Sequence, residues 1–131
     1  MTFLERWFEE VWNKGREAAI DEMSHPDTKG HGLTTPDGKE VDGMVAFKVF
    51  YRSFRSAFSG IHVDVEDTVT EGDRTVARCV VTGTHTGAGL GIAATGKPVK
   101  FTGMTLVRLK DGKIVESWNN FDFMSMYKQL E

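Results

Sequence analysis

The residues best placed to do chemistry lie near the end of the chain. In the run from Ile114 to Asp122, strand alternation puts Ile114, Glu116, Trp118, Asn120 and Asp122 on one face. That face ends on an indole, an amide and a carboxylate, each two residues apart. A carboxylate beside apolar bulk is a candidate acid or base, because leaving water raises its pKa. The competing reading makes Asp122 the N-cap of a short helix expected from Phe123 to Leu130. Spacing alone leaves both open, and a single bulge in the strand would exchange Trp118 and Asp122 for Asn119 and Phe121 on the inward face. His85 shares a strand face with Cys79, Val81 and Gly83, so it should point to the apolar side. It is either a satisfied core residue or a functional group beside the glycine-rich stretch that follows.

Other chemistries find less support. No two of the four histidines have the spacing of a zinc site, and Cys79 has no cysteine partner, so no metal is expected. Gly91 to Pro98 nearly matches a phosphate-binding loop. Pro98 stands where the magnesium-binding hydroxyl belongs, however, and a strand follows instead of a helix. Gly87-Ala88-Gly89 fails as a dinucleotide fingerprint for the same reason. Gly87 to Lys97 reads better as a mobile loop at a pocket mouth, offering Leu90 and Ile92 as contacts. No strained Gly-x-Ser-x-Gly turn presents a nucleophile.

Helices come first and strands after, so the fold class is α+β. Thr2 to Glu5 reads as a capping box, followed by Leu4, Trp7, Phe8, Val11 and Trp12 at helical spacing, with Gly15 as a left-handed stop. A short helix follows over Arg16 to Met23, and His25-Pro26-Asp27 breaks it. Thr28 to Val41 reads as irregular, with room for a short edge strand. Asp42 is the expected cap of a third helix, Gly43 to Phe58, whose stripe of Phe47, Phe50, Tyr51, Phe54 and Phe58 needs a large apolar partner. Four strands are expected over 61–70, 74–86, 99–109 and 113–122, the last two joined by the Asp111-Gly112 turn. The short turns demand antiparallel pairing. A curved sheet over the aromatic helix would make a cone with an apolar hollow.

The 131 residues suggest one domain, 1–131, long enough for its own core. A net charge of −3 with interspersed signs gives no footprint for nucleic acid. A lone cysteine, no basic-then-apolar leader and no membrane-length apolar run make cytoplasm the expected compartment.

With these motifs in view, the chain resembles the SnoaL-like polyketide cyclase (ester cyclase) family of the NTF2-like superfamily. The landmarks are Val11-Trp12-Asn13-Lys14-Gly15, Glu71-Gly72-Asp73-Arg74, Gly83-Thr84-His85-Thr86-Gly87, Phe101-Thr102-Gly103 and Asp111 through Trp118. The resemblance implies an NTF2-like cone, a mostly antiparallel sheet wrapped over N-terminal helices, and a homodimer. It implies ring closure by intramolecular aldol condensation with no cofactor, and an aspartate at the end of the last strand as acid/base. That position matches Asp122. The family's Thr-His-Thr-Gly histidine matches His85, and the histidine following the first Pro-Asp matches His31.

On that basis Asp122 moves a proton next to a carbonyl of a small apolar substrate. His85 and Asn120 donate hydrogen bonds to the enolate oxygen. Trp12, Phe50, Phe54, Met104 and Trp118 form the apolar walls, with His31 also at the substrate. An isomerase or lyase could use the same groups. The alternative is a non-catalytic module that binds a small ligand or forms dimers.

Overall fold

A computed structural model describes residues 1–131. The first helix, α1 (Phe3–Trp7), opens on the expected capping box: the Thr2 hydroxyl accepts from the Glu5 N–H at 3.3 Å, and Glu5 reaches back to the Thr2 N–H at 3.4 Å. It runs on into a π-helical segment, Phe8–Asn13, where the Lys14 N–H donates to the Glu9 carbonyl at 2.8 Å. Carbonyls loosened by the wider turn find side-chain donors. Tyr51 donates to the Val11 carbonyl at 2.8 Å and Arg55 to that of Trp12 at 2.6 Å. Asn13 clasps the Val63 peptide, accepting at 2.7 Å and donating at 3.0 Å. Gly15 takes the left-handed conformation, φ +69°.

Next come α2 (Ala18–Met23), β1 (Ser24–His31) and α3 (Met44–Ala57). The stretch expected to be irregular thus begins as an edge strand. Asp42 does not cap α3. Gly43 holds the cap position without a side-chain bond, and the Asp42 carboxylate instead accepts from the Gly30 N–H at 2.9 Å, tying the approach to α3 onto β1. Four long strands follow, β2 (Phe58–Glu71), β3 (Arg74–His85), β4 (Pro98–Lys110) and β5 (Lys113–Phe121), then α4 (Phe123–Gln129).

The sheet order is β1-β5-β4-β3-β2, antiparallel except where β1 runs parallel to β5. Two register shifts in β2 bend the sheet, as an extra residue on one strand does. Its concave face packs on α1, the π segment and α3 through a single apolar core. Trp12 lies at the centre of the helical side, edge-on to Phe47, Phe50, Tyr51 and Phe54 at 5.0–6.4 Å between centroids.

The decisive irregularity is in β5. Arg108 pairs with Glu116 but Leu109 pairs with Ile114, leaving Val115 as an extra residue. A one-residue bulge reverses the parity of everything beyond it. Ile114 faces the core, and past the bulge Ser117, Asn119 and Phe121 face inward. Glu116, Trp118 and Asn120 are turned to the outer face.

Candidate active site in the apolar cone

The hollow between the concave sheet and α3 is a cavity of about 100 Å³ lined by 26 residues, 18 of them hydrophobic. Its walls include Trp7, Phe8 and Trp12 from the first helical stretch, Phe47, Phe50 and Phe54 from α3, and Phe101, Val107 and Phe121 from the sheet. Alternation along β4 and the shifted parity of β5 aim Thr105, Ser117 and Asn119 into the same space. Thr105 pairs with Asn119 across the two strands. Its hydroxyl donates to Asn119 Oδ1 at 3.0 Å, and Asn119 Nδ2 donates to the His31 carbonyl at 3.1 Å and to Ser117 Oγ at 3.4 Å. Ser24, Thr28 and Lys29 lie along the β1 side. No carboxylate and no imidazole is among the lining residues. The site is therefore an aromatic box with a neutral hydroxyl–amide patch on one wall.

Of the residues expected at the substrate, Trp12, Phe50 and Phe54 meet here. The others do not. Asp122 is exposed, and its carboxylate accepts from the Ser125 N–H at 3.0 Å as the N-cap of α4. The chain enters the helix at Asp122, so Phe121 and Phe123 take the cavity side and the carboxylate faces water. The expectation that it sits in an apolar hollow is corrected accordingly.

Trp118 and Asn120 lie on the outer face for the parity reason given above, and Met104 does so by the alternation of β4, in which Phe101, Thr105 and Val107 face inward. Met104 is 49% exposed and pairs with Asn120. His31 is outside as well. It stacks on Trp118 at 5.5 Å and its Nε2 lies 2.8 Å from the Glu116 carboxylate, which also accepts from Arg108 at 3.3 Å. The hydrogen bond with Glu116 raises the pKa of His31, and the same bond holds that of Glu116 down.

His85 is fully buried but lines no part of the cavity. Its Nδ1 accepts from the Thr95 N–H at 3.1 Å, which puts the ring proton on Nε2, an atom without a partner. The ring packs on Phe58 and anchors the glycine-rich loop. That loop is no lid. Gly87 and Gly89 lie so close to the Ser56 and Ser53 carbonyls of α3 that a side chain on either would overlap them. Leu90 is buried in the core, and no residue of 87–97 borders the cavity.

Of the inward polar set, Thr105 and Ser117 are not singled out by the sequence, and Asn119 enters only as the alternative that a bulge in the last strand would turn inward, as the one at Val115 does. Ser117 and Asn119 alternate as regularly as their neighbours, and only the Val115 bulge separates the two faces.

Comparison with known proteins agrees with this architecture. A family model for SnoaL-like polyketide cyclases matches residues 2–130, and the chain belongs to that family. The aklanonic acid methyl ester cyclase DnrD of Streptomyces peucetius is 27% identical over 128 residues, 97% of this chain and 88% of that protein. A SnoaL-like protein of Jannaschia sp. CCS1 superposes with a TM-score of 0.83 at 25% identity, over 98% of this chain and 88% of that one. A protein of Catenulispora acidiphila DSM 44928 with a ketosteroid isomerase-like fold gives 0.77 at 16% identity, over 97% and 90%. The fold is thus the NTF2-like α+β cone. No helix is long and apolar enough to cross a membrane.

Proposed function

We propose that the cavity takes a small, largely apolar, carbonyl-containing molecule and promotes its ring closure without a cofactor, as an intramolecular aldol cyclase. The carrying observation is the aromatic box with a hydroxyl–amide patch on one wall. Apolar walls hold one folded conformer, and holding reacting carbons together is worth up to about 7–11 kcal/mol in favourable cases. The polar wall gives the carbonyl oxygen a fixed direction. In the reaction a C–H bond next to one carbonyl breaks and its proton leaves to solvent at the mouth. The electron pair forms the bond to the second carbonyl carbon, whose oxygen takes up a proton. The ester cyclase activity of DnrD supports a ring-closing reading for a chain of this family. At about 100 Å³ the hollow is smaller than the apolar cavity of about 150 Å³ that holds a benzene, so it suits a short chain or a single small ring that reaches into the mouth.

The outward carboxylate of Asp122 favours a second reading, a holder of small apolar ligands that performs no chemistry. One experiment separates the two. Tryptophan fluorescence follows binding of a small aryl ketone, since Trp7 and Trp12 line the cavity. Chromatography follows closure of a linear aliphatic diketone to the cyclic hydroxyketone, together with the cyclohexenone that forms from it by loss of water. Binding with ring closure above the buffer rate, lost in Phe54→Ala, supports the cyclase. Binding without closure supports the holder, and absence of binding removes both.

A further inference from the structure

We propose that Ser117 is the residue that touches the carbonyl oxygen, donating a hydrogen bond to it, and that Asn119 is its positioning residue. This deepens the cyclase reading and rests on it.

Hydrogen-bond bookkeeping carries the assignment. The His31 main-chain carbonyl can only accept, so the nitrogen of the Asn119 amide must face it, at 3.1 Å. The amide orientation is thereby fixed. Asn119 Oδ1 takes the single proton of the Thr105 hydroxyl at 3.0 Å, which leaves Thr105, 3% exposed, nothing to donate. One Nδ2 proton is committed to His31, and the other reaches Ser117 Oγ at 3.4 Å. Ser117 therefore accepts from the amide and keeps its own proton, which meets no acceptor elsewhere in the chain. The bonds run one way, from Thr105 through Asn119 to Ser117, and each polarises the next. The unspent donor at the end of that series belongs to a residue lining the cavity.

The β1 side keeps this hydroxyl uncovered. Gly30 lies opposite Ser117 in the β1–β5 pair, and a Cβ there would lie 3.7 Å from Ser117 Oγ and 2.9 Å from the Val41 carbonyl. With glycine at this position the space beside the hydroxyl remains open to a ligand oxygen. The chemistry suits ring closure, because negative charge builds on the carbonyl oxygen as the neighbouring C–H bond breaks. A donor fixed beforehand in an apolar setting is strongest at that moment.

The test uses the whole chain and acetophenone as probe, with the carbonyl stretch read by infrared difference spectroscopy and binding by tryptophan fluorescence. In the wild type the band of the bound ketone lies below its position in hexane. Ser117→Ala returns it to the hexane position and weakens binding by about two- to tenfold, the worth of one neutral hydrogen bond. Asn119→Ala leaves the hydroxyl untethered and gives a broader band between the two, a signature that a purely structural amide would not produce. Closure of the linear diketone by Ser117→Ala falls further, by roughly a hundredfold, as loss of an oxyanion donor does elsewhere. A wild-type bound ketone with the band at its hexane position overturns the assignment and leaves the binding reading standing. Acetophenone that does not bind the wild type overturns both.

Discussion

Substitution of Asp122 separates a capping carboxylate from a reacting one. In the structure the group makes one hydrogen bond, to the Ser125 N–H at 3.0 Å, from an exposed position. Asparagine caps as well as aspartate, so Asp122→Asn should change stability by less than about 0.5 kcal/mol. Asp122→Ala removes the cap and should cost about 1 kcal/mol. The loss stays local, because α4 is also held by buried Met126 and Leu130 and by the amide of Gln129, which bonds both backbone groups of Lys100 at 2.8 and 2.9 Å. For a domain of this length 1 kcal/mol corresponds to roughly 3–5 °C in Tm. Circular-dichroism melts of the two variants, run beside the diketone assay, give both readouts. The expected result is an unchanged Tm and unchanged closure rate for Asp122→Asn, and a lower Tm for Asp122→Ala. An Asp122→Asn protein that melts like the wild type yet turns over roughly a hundredfold more slowly would refute this reasoning. The carboxylate would then have to leave its cap during the reaction.

The His31–Glu116 pair makes stability depend on pH. His31, with its pKa raised by the Glu116 hydrogen bond, contributes fully below its ordinary value of about 6.5 and loses that contribution as pH rises through the raised one. Glu116, with its pKa lowered by the same bond, contributes above its ordinary value and loses it as pH falls through the lowered one. Urea midpoints between about pH 5 and pH 8 should therefore decline on the alkaline side, and His31→Gln should flatten that decline. Gly103→Ala would drive a methyl into the Phe121 ring packed over it, costing about 1–3 kcal/mol and weakening ketone binding; unchanged urea curves would show that the ring moves aside freely. Burial, aided by the charge of Glu66, pushes the Cys79 thiol up to about 12. A disulfide reagent should label Cys79 only as the protein unfolds, and fast labelling of the native state would contradict that placement.

Much of the architecture could be read from residue order. The Thr2–Glu5 box, the Trp7–Trp12 stripe, the aromatic face of α3 and the Asp111-Gly112 turn each act within a few residues, where local rules govern. The site was less legible because it depends on contacts far apart in sequence. Trp12, Phe50 and Phe54 line the cavity as their helical spacing implies, since that spacing aims them without reference to a partner. Trp118 and Asn120 face outward because the Val115 bulge decides which face of β5 looks inward, and alternation carries no trace of the extra residue, whereas Met104 faces outward by the unbroken alternation of β4, which residue order alone indicates. His31 was drawn inward by motif matching, but Glu116 and Trp118 hold it on the outer face. Gly87 and Gly89 show the opposite error: residues taken as a sign of freedom are there because α3 leaves no room for a side chain.

The extra residue at Val115 also decides which chemistry the cone displays. Were the bulge ironed out with every residue kept, β5 would slip one position along β4 and turn Glu116, Trp118 and Asn120 inward in place of Ser117, Asn119 and Phe121, whereas deletion of Val115 would leave the observed faces as they are. A hydroxyl–amide wall and one carrying an indole and an acid are thus separated in this scaffold by a one-residue slip of register, with the core left as it is.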